Sequence, residues 1–348
     1  MNIKDYGFDG YFEALAAEYP ELIPARVIVQ EKELYKIVSK DGEQLATVSG
    51  KFRYLAKVVS EYPAVGDFVM VDHTGSDGCA VIHAVLPRKS VFTRRAAGTL
   101  NREQVVAANI DTVLICMSLN NDFNVRRLER YLSIAWDSGA TPVIIFTKAD
   151  LCEDIADKLS QAESVALMVD MVVTSVISEN GIDDIMPYLK KGKTASFIGS
   201  SGVGKSTLIN RLLGSDRIAT NGLRNDDKGR HTTTHRELIL LENGALVVDT
   251  PGMRELGMWG VDSGIDTTFA DIEELARNCK FKNCTHTKEP GCAVRMAIVD
   301  GSLSEDRYRS FTKLTAENAY AEDSESYLAA KEKKFKEIAK YNKANKKG

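Results

Sequence analysis

The order of two short motifs constrains this 348-residue chain more than anything else in it. Gly199-Ser-Ser-Gly-Val-Gly-Lys-Ser206 has the form of a phosphate-binding loop. Thr147-Lys-Ala-Asp150 has the form of a guanine-reading tetrad, and it precedes that loop by about fifty residues, where the ordinary arrangement places it after. Both lie inside hydrophobic α/β patterning, so the simplest fold is one phosphate-loop domain whose sequence is circularly permuted. The chain is long enough for two or three such cores.

Residues 24–93 carry five short β-branched runs (25–29, 35–38, 45–48, 67–71 and 79–82) with turn residues between them. Five strands in about seventy residues predict a small closed barrel, of which an OB-fold is the commonest form. Arg53, Lys57, Arg88, Lys89, Arg94 and Arg95 would give it a basic face, although barrels of this size also serve as plain protein-binding modules. From 110 the rhythm becomes strand, helix, strand, which predicts a doubly wound parallel sheet. Its strands are expected at 112–117, 143–147, 171–175, 195–198, 237–241 and 246–249, with helices at 125–137, 154–168 and 181–190. After 257 the strands stop and helices follow, interrupted by a cysteine cluster and ending in a Lys/Glu-rich helix from about 326.

The phosphate loop follows a buried strand and opens a helix, the context its chemistry requires. Gly199, Ser200, Ser201, Gly202, Val203 and Gly204 would wrap their backbone N–H groups around the phosphates. Lys205 would neutralise the β and γ phosphates, Ser206 would place its hydroxyl on Mg²⁺, and Thr207 would lie near the α-phosphate. Asp249-Thr-Pro-Gly252 is the expected partner, with Asp249 bound to Mg²⁺ through water and the Gly252 N–H reaching the γ-phosphate. Between them, Gly229-Arg-His-Thr-Thr-Thr-His235 would complete the Mg²⁺ shell; Thr233 is favoured, with Thr232 and Thr234 as alternatives. The residue after Gly252 is Met253, which cannot orient an attacking water, so intrinsic hydrolysis should be slow. His231 would orient that water once a partner orders the loop; the alternative is a solvent-facing histidine. Asp150 can accept two hydrogen bonds from guanine N1–H and its exocyclic amine, and Lys148 would cover the base plane. Thr147 stands where asparagine is usual, and Ser175 fits a loop closing over the base.

Cys279, Cys284, His286 and Cys292 fall within fourteen positions and suit one tetrahedral structural zinc, with no open position for catalysis. Lys280, Lys282 and Lys288 surround them. Cys79, Cys116 and Cys152 stand alone and read as small buried hydrophobes. The formal net charge is −4, yet residues 331–348 alone carry +6, leaving −10 for the rest. That tail is either a solvated helix end or an RNA contact. No apolar run reaches membrane-span length and the start is acidic and aromatic, so the expectation is a cytoplasmic protein without membrane contact, and a monomer, since no exposed pairing pattern is identified.

This ordered combination resembles the ribosome small-subunit-dependent GTPases of bacteria, the RsgA or YjeQ family, over nearly the whole chain from about Pro24 to Tyr320. The resemblance implies an N-terminal OB-fold, a circularly permuted P-loop GTPase domain and a C-terminal helical zinc-binding domain. On this chain they correspond to 24–93, 94–257 and 258–348, after an extension at 1–23. It also implies a late maturation factor that binds the small ribosomal subunit and its rRNA, is stimulated to hydrolyse GTP, and then dissociates. A rival reading is an RNA-binding adaptor whose nucleotide site is only structural, which would not need Ser206, Asp249 and the threonine loop to complete a Mg²⁺ shell. An ATP-dependent kinase conflicts with Asp150.

Overall fold

The computed structural model describes residues 2–31, 33–72, 78–95, 103–175, 177–178, 181–214, 236–249 and 260–322. Contacts divide the chain into two compact units, Met1–Leu256 and Gly257–Gly348.

The first unit opens with a 3₁₀ turn, Ile3–Tyr6, and helix α1 (Gly10–Ala16). Asn2 and Asp9 cap them, each side chain accepting from a backbone N–H two residues on. This extension is part of a core: Ile3, Phe8 and Phe12 pack on Phe68, Met70 and Leu86, with the Phe12 and Phe68 ring centroids 4.2 Å apart. The barrel follows, built from β1 (Ile23–Glu31), β2 (Leu34–Ser39), β3 (Gly42–Val48), helix α2 (Gly50–Leu55), β4 (Phe68–Asp72) and β5 (Ala80–Val85). Pairing runs β1-β2-β3-β5-β4 and closes through β4 onto β1, a five-stranded barrel. Alternate residues point inward, among them Val27, Ile37, Val69 and Ile82, all buried.

The expected basic face is only partly there. Arg88 is committed to buried Asp67 through two 2.8 Å bonds, and donates also to the Ser60 and Tyr62 carbonyls. Lys89 pairs with Asp9 at 2.6 Å and lies over the rings of Tyr11 and Phe12. Both charges are used for packing, which no period-two reading of sequence reveals. Arg94 lies on a separate hairpin of β6 (Val91–Arg95) and β7 (Glu103–Ala108), which the sequence pattern does not announce. Arg53 and Lys57 are exposed.

The remaining strands of this unit are β8 (Thr112–Ser118), β9 (Thr141–Thr147), β10 (Asp170–Val173), β11 (Thr194–Ile198), β12 (Arg236–Leu240) and β13 (Leu246–Asp249). Helices α3 (Val125–Asp137), α4 (Ile155–Glu163) and α5 (Lys205–Leu213) connect them. The order is β10-β9-β8-β11-β13-β12, parallel except for β12 on β13. Strands β8 and β11 are almost wholly buried, as strands covered on both faces must be. The helix expected at 181–190 is instead a 3₁₀ turn, Asp183–Tyr188, carrying Pro187, which has no N–H for an α-helical ladder. The helix expected at 154–168 stops at Glu163.

Barrel and nucleotide sheet are continuous, because Val29 and Gln30 of β1 pair antiparallel with Glu237 and Arg236 of β12. Arg26 of β1, 1% exposed, fastens the junction. Its guanidinium donates to the carbonyls of Gly66 (3.1 Å), Tyr6 (2.6 Å) and Asn109 (3.1 Å) and to the Thr194 hydroxyl (2.9 Å).

The second unit contains α6 (Asp262–Thr268), α7 (Ala270–Arg277), α8 (Ala293–Asp300) and α9 (Glu305–Glu322). Ile265, Phe269, Ile272, Val294 and Leu314 form its interior. Arg307 of α9 makes two 2.7 Å bonds to Asp271 of α7 with its guanidinium over the Phe269 ring. The lysine-rich segment beyond 322 lies outside the described residues. Among the described residues no helix is long and apolar enough to cross a membrane.

Candidate nucleotide site and metal centre

The two motifs that are far apart in sequence meet because β9 and β11 both flank β8, all three parallel, so their C-terminal ends open on the same edge of the sheet. That edge is where open α/β sheets bind ligands. Gly199 follows the last residue of β11 at φ 146°, and a Cβ there would stand 2.3 Å from the Cys116 carbonyl oxygen of β8. Only glycine lets the loop leave the sheet so close to its neighbour. Gly204 caps α5 in the left-handed region without a side-chain hydrogen bond. The first N–H groups of α5 therefore meet no capping side chain, which is the condition for binding an anion.

Lys205 is 7% exposed and its ammonium donates to the carbonyls of Gly199 (2.6 Å) and Ser200 (2.5 Å), folding the loop over its own charge. Val203 is buried beneath the loop, Ser206 is half-buried and Ser201 and Thr207 are exposed. Ser200 donates its hydroxyl to Asp122 at 2.7 Å, and Asp122 also accepts from Arg127 of α3 at 2.7 Å. Partial burial pushes the Asp122 carboxyl up, but the Arg127 and Ser200 hydrogen bonds outweigh it and hold the group below its usual range. Sequence reasoning missed Asp122, since it lies in a loop with no motif.

At the base end, Thr147 is 2% exposed and its hydroxyl donates to the Val203 carbonyl at 2.6 Å. Lys148, at φ 58°, turns the chain out of β9, and its ammonium donates to the Gly202 carbonyl at 2.7 Å. The tetrad and the phosphate loop are thus stitched together directly. Asp150 stands exposed on the 3₁₀ turn Ala149–Leu151, and Ser175 donates its hydroxyl to it. Gly181 closes the neighbouring loop, where a Cβ would fall 1.8 Å from the Ser175 carbonyl oxygen. Arg211 of α5 donates to the Ser178 carbonyl at 2.7 Å, tying that loop to the phosphate-binding helix.

Asp249 closes β13, whose Val248 pairs with Ser196 of β11, so its backbone sits beside the phosphate-loop strand. Its side chain, together with Gly252, His231, Thr232, Thr233 and Thr234, lies outside the described residues.

In the second unit Cys279, Cys284, His286 and Cys292 bring three Sγ atoms and one ring nitrogen within 4.8 Å of one another. Cys279 Sγ is 3.9 Å from Cys292 Sγ and 3.6 Å from His286 Nδ1, which is 3.3 Å from Cys292 Sγ. Sulfurs about 2.3 Å from one tetrahedral ion stand roughly 3.8 Å apart. The donor set and spacing therefore fit a four-coordinate metal. His286 reaches inward from a left-handed backbone (φ 56°), and Cys292 also caps α8. Glu289 braces the loop by accepting from the backbone N–H groups of Thr285, Thr287 and Lys288.

Comparison with known proteins agrees with this construction. The family model described as RsgA GTPase matches residues 85–259, and one described as 50S ribosome-binding GTPase matches 194–338. The small ribosomal subunit biogenesis GTPase RsgA 2 of Lactiplantibacillus plantarum is 50% identical over 92% of this chain and 90% of its own length. Its counterpart in Listeria monocytogenes is 47% identical over the same shares. The crystal structure of YjeQ from Thermotoga maritima superposes with a TM-score of 0.63 at 27% identity, covering 84% of this chain and 97% of that one. That of YloQ, a circularly permuted GTPase, gives 0.59 at 26%, covering 85% and 94%. With its own family's model spanning half the chain and relatives nearly half identical along nine-tenths of it, this protein belongs to the RsgA GTPase family, GTP hydrolases with circularly permuted motifs.

Proposed function

We propose that this GTPase acts late in maturation of the small ribosomal subunit, binding the subunit and its rRNA, being stimulated by it and leaving after hydrolysis. The observation that carries this reading is a complete phosphate loop stitched to a guanine-reading tetrad, in a chain aligned over 92% of its length with relatives named for small-subunit biogenesis. The name naming the large subunit belongs to a model matching residues 194–338 alone, so the whole-chain relatives weigh more.

In this reading residues 199–204 cradle the phosphates with backbone N–H groups, Lys205 neutralises the β and γ phosphates, and Thr207 lies by the α-phosphate. Ser206, Thr233 and Asp249 surround Mg²⁺, Gly252 reaches the γ-phosphate, and His231 orients water. Thr147, Lys148, Asp150 and Ser175 form the base site. Zinc is the metal that Cys279, Cys284, His286 and Cys292 suit, supplying a covalent crosslink among loops and no chemistry on the substrate. The working division is 24–93 for the barrel, 94–257 for the GTPase domain and 258–348 for the zinc module, in a cytoplasmic monomer.

The test is GTP turnover at fixed Mg²⁺ with purified small subunits, purified large subunits or neither, using Lys205→Ala as the blank. Stimulation specific to the small subunit is expected. Tight small-subunit binding without stimulation would instead support the adaptor reading, and stimulation by the large subunit alone would refute the subunit assignment.

A further inference from the structure

Thr147 makes one bond that leaves it no hydrogen to donate to a nucleotide. A threonine hydroxyl has a single hydrogen, whereas the amide of asparagine, usual at this position, has two. That single hydrogen is given to the Val203 carbonyl at 2.6 Å, in a pocket where Thr147 is 2% exposed. Guanine presents only acceptors, N7 and O6, on its major-groove edge, of which N7 lies outside the Watson–Crick face. Asp150 would read the Watson–Crick face, and with the phosphates held in the loop that Thr147 touches, the N7 edge of the base would face Thr147. An acceptor there can bond only to a donor, and Thr147 has none left.

We infer that this protein does not read guanine N7 through Thr147, so that base selectivity rests on the Watson–Crick face and N7 is open to replacement. Thr147 is a positioning residue: it holds β9 to the phosphate loop through its bond to the Val203 carbonyl. The consequence is a substrate range wider than that of an asparagine-bearing site, taking guanine nucleotides altered at N7 while rejecting those altered at the exocyclic amine or N1. This rests on the assignment of Thr147-Lys-Ala-Asp150 as the base site.

The experiment is competition against a fluorescent GDP by GDP, 7-deaza-GDP, IDP and ADP, with the full-length protein and with Thr147→Asn and Thr147→Val. For the unaltered protein, GDP and 7-deaza-GDP are expected to agree within about twofold, while IDP and ADP bind at least tenfold more weakly. Asparagine restores a spare donor, so Thr147→Asn should open a preference for GDP over 7-deaza-GDP of about fivefold, the size of one ordinary hydrogen bond. Thr147→Val removes the tie to Val203 and should weaken GDP and 7-deaza-GDP together, leaving their ratio near one. A fivefold or greater loss with 7-deaza-GDP in the unaltered protein, alongside retained rejection of IDP, would overturn the inference while leaving the base-site assignment standing. Equal binding of GDP, IDP and ADP would overturn the assignment itself.

Discussion

Replacing Arg26 by methionine tests how barrel and nucleotide sheet are held together. The guanidinium makes four hydrogen bonds at 2.6 to 3.1 Å. The Gly66 carbonyl keeps a second donor, Asn109 Nδ2 at 3.1 Å, and the Thr194 hydroxyl can turn, so the loss falls on the Tyr6 and Asn109 carbonyls. Each loses a charged donor, about 1.5–3 kcal/mol apiece. Against this, the fully buried guanidinium is itself uncomfortable: burial pulls its pKa down to about 10, and methionine removes that penalty while keeping the contact with Phe68. The net loss should be about 3 kcal/mol, or a Tm lower by roughly 6–12 °C for a unit of this size. Thermal unfolding followed by circular dichroism, with denaturant midpoints as a check, measures it. Arg26→Lys should fall in between, because one ammonium cannot reach acceptors on four separate segments. A methionine variant melting within about 2 °C of the parent would mean that the junction is held by β-pairing alone.

Three further outcomes are expected. Gly199→Ala forces a Cβ to 2.3 Å from the Cys116 carbonyl at φ 146°, so GDP affinity should drop at least tenfold with the secondary structure intact; unchanged binding in calorimetry would contradict the packing argument. Removing metal with a strong chelator should release one equivalent of zinc by elemental analysis and expose Cys279, Cys284 and Cys292 to a thiol reagent, while GDP binding by the first unit survives; a metal-free module with unchanged protection of those thiols would refute the site. Burial pushes the Cys116 thiol up to about 12, so at pH 8 it stays protonated and a maleimide should spare it until the protein unfolds, whereas half-buried Cys152 reacts; equal labelling of the two by peptide mass mapping would contradict this.

The phosphate loop, the tetrad and the cysteine cluster were legible because each needs fixed residue types at short spacing, and β-branched runs announced the barrel. What stayed hidden depends on long-range partners. Asp122 matters only because the fold brings Ser200, seventy-eight residues later, to within 2.7 Å of it. Arg88 and Lys89 read as part of a basic face until Asp67 and Asp9 appeared beside them. The hairpin of β6 and β7 pairs strands whose alternation is too short to stand out, and the opening segment earns its place through Phe8 and Phe12, which have no meaning until Phe68 is under them.

The shared strand β1 bears on how this protein can be cut. Its first half pairs with β4 to close the barrel, and its second half pairs with β12 along the same side. A fragment beginning after the barrel would leave β12 as a bare outer strand, its N–H and C=O groups unpaired and open to adding another chain. The barrel is thus also the lid on an adhesive flank of the nucleotide sheet. Such a fragment is expected to self-associate, and any attempt to isolate the GTPase should carry β1 along with it.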